Sequence, residues 1–70
     1  MSKEEQGFFV KYNDGTYSMP FDRLNNARAD ARLKGSNLSI YHGVLIINND
    51  GSINDKDLYI IPKVPKKMRL

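Results

Sequence analysis

The sequence predicts an α+β fold: a small antiparallel sheet of four or five strands with one helix on one face, in the order β-β-α-β-β. Three observations carry this expectation. Runs of alternating apolar residues flank two Asn-Asp-Gly triplets, at 13–15 and 49–51, and such a triplet between alternating runs is turn chemistry. A stretch rich in alanine with helical spacing lies between the two strand regions, in "RLNNARADARLK". Pro20 and Pro62 stand where extended runs end, as residues that cannot donate to a ladder.

The elements follow in order. Residues 1–6 are polar and read as a frayed end. "GFFVKY", Gly7 to Tyr12, is a strand by its alternation and its β-branched and aromatic content. After Asn13-Asp14-Gly15, "TYSM" resumes alternation and completes a hairpin. Asp22 is placed to cap the helix that follows. Leu24, Ala27 and Ala31 fall within about 60° of each other on a helical wheel, a narrow stripe that lets the helix lie close against a sheet. Gly35 is placed as a left-handed stop.

"LSIYH" and "VLII" are separated only by Gly43. One glycine is too short for a hairpin loop, so a bent or bulged continuous strand is expected. Ser52 and Ile53 begin a return that "NDKD" interrupts, and "LYII" forms the last strand. The expected core under the helix is Phe8, Val10, Tyr17, Leu24, Ala27, Ala31, Leu38, Ile40, Val44, Ile46, Leu58 and Ile60. The flanks of the two triplets share only strand-like character, so no longer internal repeat is read from them.

Charge is concentrated. Four of the eleven basic residues (Lys63, Lys66, Lys67, Arg69) lie in the last eight positions. The other seven face all eight acids, leaving residues 1–62 at −1 against a whole-chain +3. A folded domain over 1–62 with a basic extended tail over 63–70 is expected. The chain has no cysteine, which removes disulfides and the common structural zinc sites. Its apolar runs are far shorter than a membrane span, and "MSKEEQGFF" has no apolar signal core. A soluble cytoplasmic protein without membrane contact is the expectation.

The inventory for catalysis is thin. His42 is the single histidine and the only conventional base near neutral pH. The aspartates sit in turns or at the helix start, where structural roles explain them. No catalytic residues, no metal and no cofactor are assigned. From Ile46 to Asp57 the spacing resembles an EF-hand calcium loop, with Asn48, Asp50, Gly51, Ile53 and Asp57 at matching places. Ile46 offers no first ligand, and the twelfth position lacks the bidentate glutamate, so a turn is the preferred reading.

Binding residues are easier to find. Phe9, Tyr41, Leu45, Ile47, Tyr59 and Ile61 fall on the sheet face opposite the helix, and an open apolar face of that size marks an interaction surface. Arg28 and Arg32 are i,i+4 on the helix, a mildly unfavourable pair that suggests service to a partner. The candidate partner-binding set is therefore Phe9, Tyr41, Tyr59, Arg28, Arg32, Lys63, Lys66, Lys67 and Arg69. The alternative for the aromatic face is a twisted sheet that closes on itself or is covered by the tail.

In layout, "FFVKYNDGTYSMPF", "LNNARADA" and "NLSIYHGVLI" resemble the small accessory proteins that phages encode to act on host machinery. The resemblance implies stoichiometric inhibition or modulation of a larger host enzyme, often one that handles nucleic acid. The expected function is thus a non-enzymatic protein-binding module. Nucleic acid held on the phosphates by the tail and Arg28/Arg32 is the alternative, and self-association is a further option.

Overall fold

A computed structural model describes residues 2–35 and 38–62. It contains β1 (Lys3–Lys11), α1 (Leu24–Lys34), β2 (Ser39–Ile47), β3 (Ile53–Asn54) and β4 (Leu58–Ile60). These form a four-stranded antiparallel sheet with one helix, the α+β layout expected. β1 and β2 pair along their whole lengths, from Lys3↔Ile47 to Lys11↔Ser39, with Gly7 opposite Gly43 at the centre. β3 and β4 both pair with the other edge of β2, at Ile46–Ile47 and Tyr41–Gly43 respectively. β2 is continuous through Gly43, and its register against β1 carries no bulge there.

Several local expectations are corrected. β1 starts at Lys3, so the polar segment is a strand rather than a frayed end. Its propensity is poor, but β2 supplies a long apolar strand against which Glu4 and Gln6 pair with Ile46 and Val44. "TYSM" is not a regular strand. It meets β1 through single bridges at Lys11↔Tyr17 and Phe8↔Phe21. The helix N-cap is Arg23, without a side-chain cap bond, and Asp22 does not cap. Both backbone groups of Phe21 are bound to Phe8, which holds the chain extended up to the residue before Asp22. Gly35 closes the helix with its N–H on the Ala31 carbonyl, but its φ of 170° is extended and not left-handed.

The fold contains a repeat that the flanks of the triplets hid. At an offset of 36 residues (Gly7 to Gly43, Gly15 to Gly51) the two turns carry the same backbone bonds. In the first, the Tyr12 N–H donates to the Thr16 carbonyl at 2.8 Å and the Gly15 N–H to Tyr12 at 3.0 Å; in the second, Asn48 donates to Ser52 at 2.8 Å and Gly51 to Asn48 at 3.0 Å. Gly15 and Gly51 share a φ of 89°. This is a three-residue hairpin loop, a type I turn followed by a left-handed glycine. Asp14 and Asp50 each accept from the N–H and hydroxyl of the residue two further on, Thr16 and Ser52.

The match continues past the turns. Lys11↔Tyr17 corresponds to Ile47↔Ile53, and the Phe8 N–H on the Phe21 carbonyl corresponds to Val44 on Asp57. Each return segment carries one residue more than the strand it follows. Phe8 to Lys11 is matched by Tyr17 to Phe21, and Gly43 to Ile46 by Asn54 to Leu58. This is a one-residue bulge, and it explains the ragged "NDKD". The bulged carbonyl folds over the central glycine. A Cβ on Gly7 would lie 2.8 Å from the Phe21 oxygen, and one on Gly43 would lie 2.2 Å from the Asp57 oxygen. A pseudo-two-fold axis therefore runs through the Gly7/Gly43 pair. The repeats diverge after Phe21 and Asp57, where one chain turns into α1 and the other continues as β4.

The bulges reset which side chains share a face. Paired residues project to the same side, so Phe8, Val10, Ile40, His42, Val44 and Ile46 share one face, and Phe9, Tyr41, Leu45 and Ile47 the other. α1 packs on the first through Ala27 and Ala31, with Val10 and Leu38 completing a core to which Phe8, Tyr12, Phe21 and Ile40 add. The second face also carries a core. Phe9, Leu45 and Leu58 form a separate core there, packed by Tyr17 and Tyr41. Tyr17, Leu58 and Ile60 thus belong opposite the helix, and Tyr59 on the helix side through its pairing with His42. The extra residue in each return segment inverts the parity that simple alternation gives.

Candidate functional site

The predicted aromatic face is covered at Phe9, which is fully buried. Its ring meets Tyr17 edge-on at 6.3 Å, and Tyr17 meets Tyr41 at 5.9 Å. The Tyr17 hydroxyl donates to Asp55 at 2.9 Å, tying the first return segment to the second bulge. Burial, then that bond, push the Tyr17 hydroxyl up to about 12. The two return segments close over the sheet because each bulge bends its chain inward. Phe9 is therefore a core residue and Tyr41 is half-buried beside it.

Ile53 and Ile60, placed on this face, stay 46% and 56% exposed at its margin, and a second apolar surface lies on the other face, beside the helix. α1 has 11 residues and is about 16 Å long, at 1.5 Å per residue. The β1–β2 ladder has nine residues per strand and is about 30 Å long, at 3.3 Å each. The helix occupies the end around Val10 and Ile40. Toward the other end, Val44 and Ile46 are half-buried and belong to neither core. Between the two runs a row of rings across three strands: Phe8, His42 and Tyr59 stand in register. The Phe8 and His42 rings stack at 4.3 Å, 13° from parallel. His42 is exposed and Tyr59 is 69% exposed. Glu4 and Gln6, both exposed, border the bare half opposite Ile46 and Val44.

The helix adds its own outward side. Arg28 and Arg32 are exposed, as is Leu33 at 83%. Arg28 also borders a depression of about 50 Å³ with Leu38, Ile40, Ile61 and Pro62. A second, more polar one of about 250 Å³ lies among Lys11, Tyr12, Asn13, Leu38 and Ser39. Both fall below the roughly 300 Å³ at which pockets begin to enclose a small ligand. Near the second, the Tyr12 hydroxyl donates to Asp30 at 2.6 Å, and Lys34 sits over the Tyr12 ring and pairs with Asp30. That bond to Asp30, then burial, raise the Tyr12 hydroxyl.

Of the residues singled out from sequence, Tyr59 joins this surface, and Arg28 and Arg32 lie on the adjoining helix. Phe9 and Tyr41 are on the opposite face, and Lys63, Lys66, Lys67 and Arg69 lie outside the described residues. Phe8, His42, Val44 and Ile46 were not assigned to a binding surface. The signal for them is the length mismatch between an eleven-residue helix and nine-residue strands.

The loop at 46–57 is flanked by strands and duplicates the loop at 10–21. Hydrogen bonds from Ser52 hold the Asp50 carboxyl below its usual range, as those from Thr16 do for Asp14. Among the described residues, no helix is long and apolar enough to cross a membrane. No family model, curated protein or solved structure matches the chain.

Proposed function

We propose that the chain is a small non-enzymatic protein-binding module that attaches to a larger protein and modulates it, in line with the resemblance in layout that the sequence suggests. The observation that carries this reading is the bare half of the helix-bearing face. There His42 and Tyr59 are exposed and Val44 and Ile46 half-buried, with Phe8 at the border with the helix core. Tyrosine and other aromatic side chains are the usual anchors of such interfaces. Arg28 and Arg32 supply positive charge beside it and would set orientation and encounter rate more than affinity.

The test is capture from a native lysate on immobilised full-length protein, repeated with Tyr59→Asp and His42→Asp. Both side chains are exposed, so the variants should melt like the parent yet lose the captured protein. Capture unchanged in both would remove this surface from consideration. A second reading draws on the Phe8–His42–Tyr59 row, since rings aligned across strands also stack on bases. That reading requires a mobility shift on single-stranded RNA or DNA at low salt that weakens steeply as salt rises.

A further inference from the structure

We propose that a second copy of this chain occupies the bare half-face, in a two-fold dimer where each α1 fills the other copy's vacant ground. This rests on the reading of that patch as a protein-docking surface and names one occupant for it.

The fit comes from the internal repeat. Within one copy α1 seats over Val10 and Phe8. The repeat equivalents of these residues, 36 positions on, are Ile46 and Val44, on the same face, half-buried and in neither core. One face therefore carries a helix on one half and none of the described elements on the other. An α-helix with side chains is about 10 Å thick. Two such faces brought together about a two-fold axis interlock, each helix entering the space beside the other. The contact is isologous and closed, so it yields a dimer and not a filament.

The outer side of α1 has the chemistry for this. By 100° per residue, Ala29 lies about 180° from the middle of the buried Ala27–Ala31 stripe, and Leu33 is its neighbour one turn on. Both are exposed. α1 thus has a second, outward apolar row, Ala29 then Leu33. Arg28 and Arg32 flank it. The ground it would cover is bordered by Glu4, and the second turn brings Asp50 to that end of the ladder. Arginines on one flank of the helix and Glu4 at the border of the patch are complementary in sign. Among the described residues neither arginine makes an ion pair within the chain.

The experiment is sedimentation equilibrium of the full chain from about 1 μM to 100 μM at roughly 0.1 M salt, spanning ordinary weak-dimer affinities. The expected result is a mass rising from 8.0 kDa toward twice that value. Leu33→Glu alters a side chain already 83% exposed and should hold the chain monomeric with an unchanged melt. Arg32→Glu and Glu4→Arg should each weaken the dimer by about tenfold, and the two together in one chain should restore it. A chain that stays monomeric across the range, or a dimer indifferent to Leu33→Glu, overturns the proposal. If the chain is monomeric while Tyr59→Asp still abolishes capture of another protein, the docking face stands and the second copy is not its occupant.

Discussion

Replacing Gly43 by alanine should be among the most damaging single-methyl changes this chain can suffer. The added Cβ would lie 2.2 Å from the Asp57 carbonyl oxygen, in a residue whose φ is 143°. Real Cβ atoms do not approach below 3.0 Å, so the bulge must move by nearly an ångström. That movement breaks the Val44 N–H bond to Asp57, now 3.3 Å, at a cost of about 0.5–1.5 kcal/mol. Backbone strain adds about 1–3 kcal/mol, and a stiffer unfolded chain returns about 0.4–1 kcal/mol. The net loss is on the order of 2–3 kcal/mol, against a total stability of roughly 3.5–10 kcal/mol for a domain this size. Gly51→Ala is the control. Its φ is 89° but its Cβ meets nothing within 4 Å, so the loss should be about 1 kcal/mol or less. With a urea m-value of about 1 kcal/mol/M, melts followed by far-ultraviolet circular dichroism should separate the two midpoints by roughly 1–2 M. Coincident midpoints would refute the close approach at the centre of the repeat. Gly7→Ala should fall between them, since its Cβ would meet Phe21 at the longer 2.8 Å.

Other predictions use the same assays. Phe9→Ala empties a fully buried site and should cost about 3–5 kcal/mol, whereas Tyr59→Ala, largely exposed, should stay within about 0.5 kcal/mol; equal losses would mean that Phe9 is not core. Tyr17 is protonated in the fold up to about pH 12 and in the unfolded chain only to about 10. Its contribution is therefore complete below pH 10 and lost as pH climbs from 10 to 12. Tyr17→Phe should lose less stability than the parent across that window, and parallel losses would show that the Tyr17–Asp55 contact is immaterial. In acid, Asp14 and Asp50 have lowered values in the fold, so their support is present above the ordinary aspartate value near 4 and fades as pH falls through their own. Asp50→Ala should flatten the acid side of a stability-against-pH curve, measured by urea midpoints between pH 2 and 6 on the order-of-magnitude scale of carboxylate titration.

Much of this fold is legible in the sequence. The alanine spacing places Ala27 and Ala31 under the helix, the triplets place both turns, and the lone Gly43 leaves β2 continuous. What fails is counting by twos. One surplus residue in each return segment exchanges faces, moving Tyr17 and Leu58 over Phe9 and Tyr59 to the helix side. Alternation carries no mark of a bulge, because the surplus appears only when both partners of a pair are known. The repeat was legible in principle. In both halves a glycine stands six residues before the triplet's asparagine, with only apolar substitutions at the two following positions. Lys3–Gln6 could not be read as strand, because what makes it one is the length of β2. The binding patch was misplaced for the same reason: once the parity inverts, the face expected to be bare gains a core around Phe9, and the face expected to be covered is only half covered.

The claim that the bare half-face is where this protein meets others has a direct test. A photo-reactive phenylalanine analogue is placed singly at Tyr59, Ile46 or Met19, and full-length protein is irradiated at high concentration and in native lysate. Met19 is the control, being apolar and 80% exposed but on the irregular return segment away from the patch. Cross-links to protein from positions 59 and 46 but not from 19 are the predicted result. Cross-linking from position 19 that equals or exceeds that from 59 and 46 would contradict it.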